Sequence, residues 1–184
     1  MARPLRSLCL ALLLLAGAAL PRPAAAQSGD GEFAELAAAS FGMVCLFLAP
    51  DDIDDGARIL GLTAIPDPAL VARMMPRGPA RGWSMLHSAR VLFLARRDQD
   101  GACLLELIGM DESQLFNAVD RLLRRLNGTL YRVVEEEVPR GLPRPPLRAR
   151  YRVSAQDNST VVIQFMVEQQ PGIGRRLQVV LSGG

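Results

Sequence analysis

Val91-Leu92-Phe93-Leu94-Ala95, then Asp98-Gln99-Asp100-Gly101, then Ala102-Cys103-Leu104-Leu105-Glu106-Leu107-Ile108, then Asp111 to Leu126: this stretch decides the fold. Two apolar runs around an Asp-Gly pair predict a β-hairpin, because the turn needs a residue that tolerates positive φ. The helix that follows has both of its ends marked. Asp111 is the N-cap, with Gln114 three residues on as an approximate capping box. Leu115, Phe116, Val119, Leu122, Leu123 and Leu126 form an apolar stripe at helical spacing. Asn117, Asp120, Arg121, Arg124 and Arg125 face water, the late arginines complementing the negative end of the helix dipole. Asn127-Gly128 terminates it.

Upstream, Glu32 to Ala49 reads as a helix with Phe33, Leu36, Ala37, Ser40, Val44 and Phe47 near one face. From Phe41 onward it is apolar nearly all round, so its second half, with Cys45, should be buried until Pro50 stops it. Asp51-Asp52-Ile53-Asp54-Asp55-Gly56 has the look of a calcium loop. Placing Gly56 sixth puts Ile53 third and Leu62 twelfth, where oxygen ligands are required, so the pattern fails. The acids read instead as the first turn of a short helix, Asp54 to Leu60. Asp67-Pro68 opens another, Ala69 to Met75. Pro76 to Gly82 reads as a loop leading to Trp83, the only tryptophan. Trp83 is expected to plug a core, with a partner-binding anchor as the alternative.

Downstream, strands are expected over Thr129 to Val138, Leu147 to Ala155, Val161 to Gln169 and Arg176 to Ser182. Pro139 to Pro146 is a stiff connector; Gln156 to Ser159 and Pro171 to Gly174 are turns. Strict alternation puts Ala149, Tyr151 and Val153 on one face and Arg148, Arg150 and Arg152 on the other. That arginine stripe is expected to pair with Glu135 and Glu137 across a neighbouring strand, with an anion or lipid-headgroup site as the second reading. Together the elements predict an α+β fold. Its sheet is mostly antiparallel, with five to six strands, N-terminal helices and one crossing helix.

The first 26 residues look like a secretory leader. Arg3 and Arg6 supply the charge, Leu8 to Leu20 an apolar core too short for a comfortable span, and Ala24-Ala25-Ala26 the small residues of a cleavage site. Cleavage is expected after Ala26, leaving a single domain over 27–184 in the periplasm or outside the cell. Of the 21 basic residues, all arginine, the leader removes three. The remaining 18 face 19 acids, a net charge of −1 that gives no pull toward nucleic acid. Cys45 and Cys103 remain, and an exported protein with one cysteine pair is expected to form one disulfide.

No cofactor or catalytic motif rises from the chain. His87 is the only histidine, its serine neighbours are Ser84 and Ser88, and no Gly-x-Ser-x-Gly surrounds either. The element order resembles roadblock and profilin-like folds, which implies a protein-binding platform or small-ligand sensor. The spacing Phe41-x-x-x-Cys45, Gly82-Trp83 and Asp100-Gly101-Ala102-Cys103 is similar to that of small exported proteobacterial proteins of unknown function. The expected role is a non-catalytic binding or adaptor module for an envelope partner. Trp83 and Arg148, Arg150 and Arg152 are the candidate contact residues. The alternatives are a small-ligand or lipid carrier with an apolar pocket between helices and sheet, and a hydrolase using His87.

Overall fold

The computed structural model describes residues 29–137, 148–156, 159–170 and 174–183. The expected leader (1–26), the proline-rich connector (139–146) and parts of the two late turns (157–158 and 171–173) lie outside them.

The chain begins with helix α1, Gly29–Phe41, which widens into a π-helical segment, Gly42–Phe47. After a 3-10 turn, Pro50–Asp52, come α2 (Ile53–Ile59), strand β1 (Thr63–Ala64) and α3 (Pro68–Met74). Then follow β2 (Ala80–His87), β3 (Arg90–Arg97), β4 (Cys103–Ile108) and α4 (Glu112–Leu126). The last strands are β5 (Tyr131–Glu137), β6 (Arg148–Ala155), β7 (Thr160–Gln170) and β8 (Gly174–Gly183). All eight strands join one antiparallel sheet in the order β1-β2-β3-β4-β8-β7-β6-β5.

The fold class is as expected, but the sheet has eight strands rather than five to six. The two extra strands are β1, only two residues long, and β2, which begins inside the stretch read as a loop. The long helix expected to Ala49 also divides. Its α-helical part ends at Phe41, and Leu48 is already extended (φ −81, ψ 137).

Local chemistry explains the regular elements. At the hairpin turn Gly101 takes φ +69, while Asp100 accepts from the Ala102 N–H (3.1 Å) and pairs with Arg97 (2.7 Å). Asp111 accepts from the Ser113 N–H at 2.7 Å and caps α4. Gln114 does not complete a capping box: its Oε1 is buried with no hydrogen-bond partner. Asp67 caps α3 through the Ala69 N–H at 2.9 Å.

One register row shows the core. Trp83, Leu94, Leu105, Val179, Phe165 and Ala149 lie side by side across six strands, and all are buried. Against this face pack Phe33, Ala37 and Phe41 of α1 and Leu115, Phe116, Val119 and Leu123 of α4. Each large apolar side chain so buried contributes about 1.5–3 kcal/mol relative to exposure. An ion pair between Arg121 and Glu35 (2.6 Å) links the two helices at the surface.

The next row belongs to the opposite face: Gly82, Ala95, Leu104, Val180, Gln164, Arg150 and Glu137. Here α3 covers only the β2 end, where Met75 joins Ala95 and Leu104 in a small second cluster. Gly82 permits that approach, since a Cβ there would lie 2.7 Å from Val71 Cγ2.

Candidate functional site

Polar chemistry gathers first where the π-helical segment meets the sheet. Cys45 and Cys103 are joined by a disulfide, their Cα atoms 5.8 Å apart, so the expected pairing forms between the N-terminal helix and β4. Arg96 lies directly opposite Cys103 on β3. Its guanidinium donates to the carbonyls of Val44, within the π-helical segment, and of Leu48, the extended residue just beyond it. Burial lowers the Arg96 pKa, and Arg81 beside it adds to the effect, but a guanidinium stays protonated.

Arg81, the register partner of Arg96, is tied on the same side. It donates to Asp98 (2.7 Å), Asp54 (2.8 Å) and the Pro50 carbonyl (2.7 Å). The Asp98 hydrogen bond is the main cause of its raised pKa. Asp54 also accepts from Trp83 Nε1 at 3.2 Å. The acidic run therefore serves ion pairing, with Asp55 bonded to Arg58 at 2.7 Å. Among the described residues no group of three His, Cys, Asp or Glu side chains gathers to hold a metal ion. Trp83 itself is 2 % exposed and part of the core.

His87 is exposed at the end of β2, its ring stacked on Phe33 with centroids 5.7 Å apart. Strand alternation sends Ser84 to the other face of β2, and Ser88 lies in the turn beyond, at φ +57. The nucleophile and base that a serine hydrolase needs are therefore not brought together.

The face opposite α1 and α4, helix-free beyond the α3 cover at its β2 end among the described residues, carries the remaining candidates. Ala149, Tyr151 and Val153 of β6 are buried against the helices, so Arg150 and Arg152 point the opposite way. Tyr151 is fixed further by its hydroxyl, which donates to Asp120 of α4 at 2.7 Å. Arg152 sits between Val134 of β5 and Val162 of β7; Arg150 sits between Glu137 and Gln164. Arg148 belongs to the same strand, opposite Met166. Glu135 lies opposite Tyr151 rather than an arginine, and the pairing shifts between Glu135 and Glu137. The expected Glu–Arg ladder is thus in register at Arg150 alone.

Two residues of this face escaped the sequence reading, exposed Arg132 and Val134. Their signal was the alternation Tyr131, Arg132, Val133, Val134, which fixes a face only once β5 has a partner strand.

Comparison with known protein families, with curated proteins and with solved structures finds no match. Among the described residues no helix is long and apolar enough to cross a membrane.

Proposed function

We propose that this chain is an exported, non-catalytic binding module that meets an envelope partner on the helix-free face of its sheet. The observation that supports this reading is the asymmetry of the sheet. Helices α1, α2 and α4 and the π-helical segment pack on one face, whereas among the described residues the other meets only the seven-residue α3. Apolar side chains reach solvent on that second face, Leu86 at 74 % exposure and Val134 at 43 %. Leu86 on β2 and Val134 on β5 stand near opposite ends of the strand order, so they mark two separate apolar points on this face rather than one patch. The edge of β2 adds to this. Its partner β1 pairs with Ser84 and Trp83 only, so the backbone N–H and C=O of Leu86 face outward.

A carrier would need room between helices and sheet. That space holds Phe33, Phe41, Leu115 and Phe116 packed on Leu105 and Phe165. The test is site-specific photo-crosslinking in cells, with the photoreactive residue at position 86 or 134, and at exposed Asn117 of α4 as control. A discrete adduct with one envelope protein from 86 and 134, absent from 117, is the expected result. Adducts of equal strength from all three positions, or none, would remove the proposal.

A further inference from the structure

We infer that the β5–β6 end of the helix-free face docks an acidic protein segment, with Arg132, Arg150 and Arg152 taking its carboxylates around Val134. The inference rests on the binding-module reading and names the chemistry of its partner.

Register carries the argument. Arg132 and Val134 alternate on β5 as Arg150 and Arg152 do on β6, and the pairing of Val134 with Arg152 puts all four on one face. Arg132 stands opposite Ser154, one diagonal step from Arg152, a separation of roughly 7–8 Å between Cα atoms that adjacent guanidiniums bridge easily. Of the three arginines, only Arg150 has a carboxylate residue directly opposite, Glu137. Arg132 and Arg152 are exposed. Arg150 and Arg152 each also interact with another group of the chain. The patch is therefore a set of forked donors on one face, of a kind suited to bidentate carboxylates, set around a short apolar contact.

The same residues argue against a lipid surface. A protein that lies on a membrane inserts long apolar or aromatic side chains beside its cations. Among the described residues at this end of the face, the exposed large apolar residue is Val134, too short for that task. Basic charge with a shallow β-branched contact matches an acidic protein segment whose alternate residues are apolar.

The experiment uses the mature chain and a fluorescent peptide of alternating glutamate and valine, with its glutamine-valine counterpart as control. Binding by fluorescence anisotropy should be seen for the acidic peptide only and should weaken with added salt. Arg132→Gln and Arg152→Gln should each weaken it about three- to tenfold, as removal of a rim charge does, and Arg152→Lys less. Unchanged emission from Trp83 and an unchanged thermal midpoint would establish that the variants remain folded. Binding that ignores both arginine variants would overturn the inference, as would retention on phosphatidylglycerol vesicles without peptide binding. If crosslinks from positions 86 and 134 persist while the acidic peptide fails to bind, the docking chemistry is wrong and the binding-module reading stands. If both fail, the module reading falls too.

Discussion

Arg96 and Cys103 face each other on adjacent strands, and both reach across to the same helical turn. Cys103 holds it covalently through Cys45; Arg96 holds it through the carbonyls of Val44 and Leu48. The Tyr131 hydroxyl adds a third tie, donating to the Leu46 carbonyl at 2.9 Å. The π-helical segment is thus anchored from three strands, β3, β4 and β5. These three ties fix the π-helical segment to the sheet, beside the core packing of α1 and the pairing of β1 with β2.

The covalent tie should be the largest single contribution. It closes a loop between residues 58 positions apart, worth about 4 kcal/mol in the chain-entropy account. The double variant Cys45→Ala with Cys103→Ala should therefore unfold at a clearly lower urea concentration. Trp83, the only tryptophan and buried, reports the transition. An unchanged midpoint would mean that the loop is held closed without the bond.

Replacing Arg96 by Met keeps most of its stem and removes the charged donor. Two carbonyls lose their partners, a cost of about 1–3 kcal/mol after relief of the desolvated cation. Because the disulfide fixes the same turn, the loss should shrink when Cys45 and Cys103 are already alanine. A double-mutant cycle measures this, with an expected coupling of roughly 1 kcal/mol; strict additivity would show that the two ties act independently.

These ties divide what the sequence disclosed from what it did not. The hairpin and α4 were legible because Asp100-Gly101 and Asp111 have local jobs, a positive φ and a cap, that residue type announces. The cysteine pairing was legible from the cysteine count, taken with the expectation of export. Strand β2 was not, because Gly82 looks like a loop residue, whereas its missing side chain answers the close approach of α3. The π-helical segment was hidden as well, since six residues are too few to distinguish its period from that of an α-helix. In the candidate site, alternation disclosed the orientation of Arg150 and Arg152. Their neighbours depend on register, which a bulge between Glu135 and Glu137 shifts beyond the reach of pattern reading.

Gly82 offers a direct check on α3. Its φ is not in the left-handed region, so alanine brings no backbone strain, and the whole effect is steric. The new Cβ would lie 2.7 Å from Val71 Cγ2 and 3.3 Å from Ile65 Cδ1. Overpacking of this size costs about 1–3 kcal/mol. Val71→Ala alone should also destabilise, but combined with Gly82→Ala it should recover part of the loss. A double variant as unstable as the sum of the singles would place the contact elsewhere.

Acid should act on the hairpin turn through Asp100. Its carboxyl is held down at about 2, first by the hydrogen bond from Arg97 and then by the Ala102 N–H. Unfolded, the same carboxyl titrates near 4. A folded pKa below the unfolded one means that the native state binds fewer protons there. The stabilisation is therefore complete above the unfolded value and fades as pH falls from about 4 toward 2. Asp100→Asn removes the titration while leaving a side-chain oxygen for the Ala102 N–H. It should be less stable than wild type at neutral pH, with the gap closing across that acid window. Urea titrations of both proteins at several pH values test this, and a gap that stays constant with pH would show that Asp100 is not the group responsible.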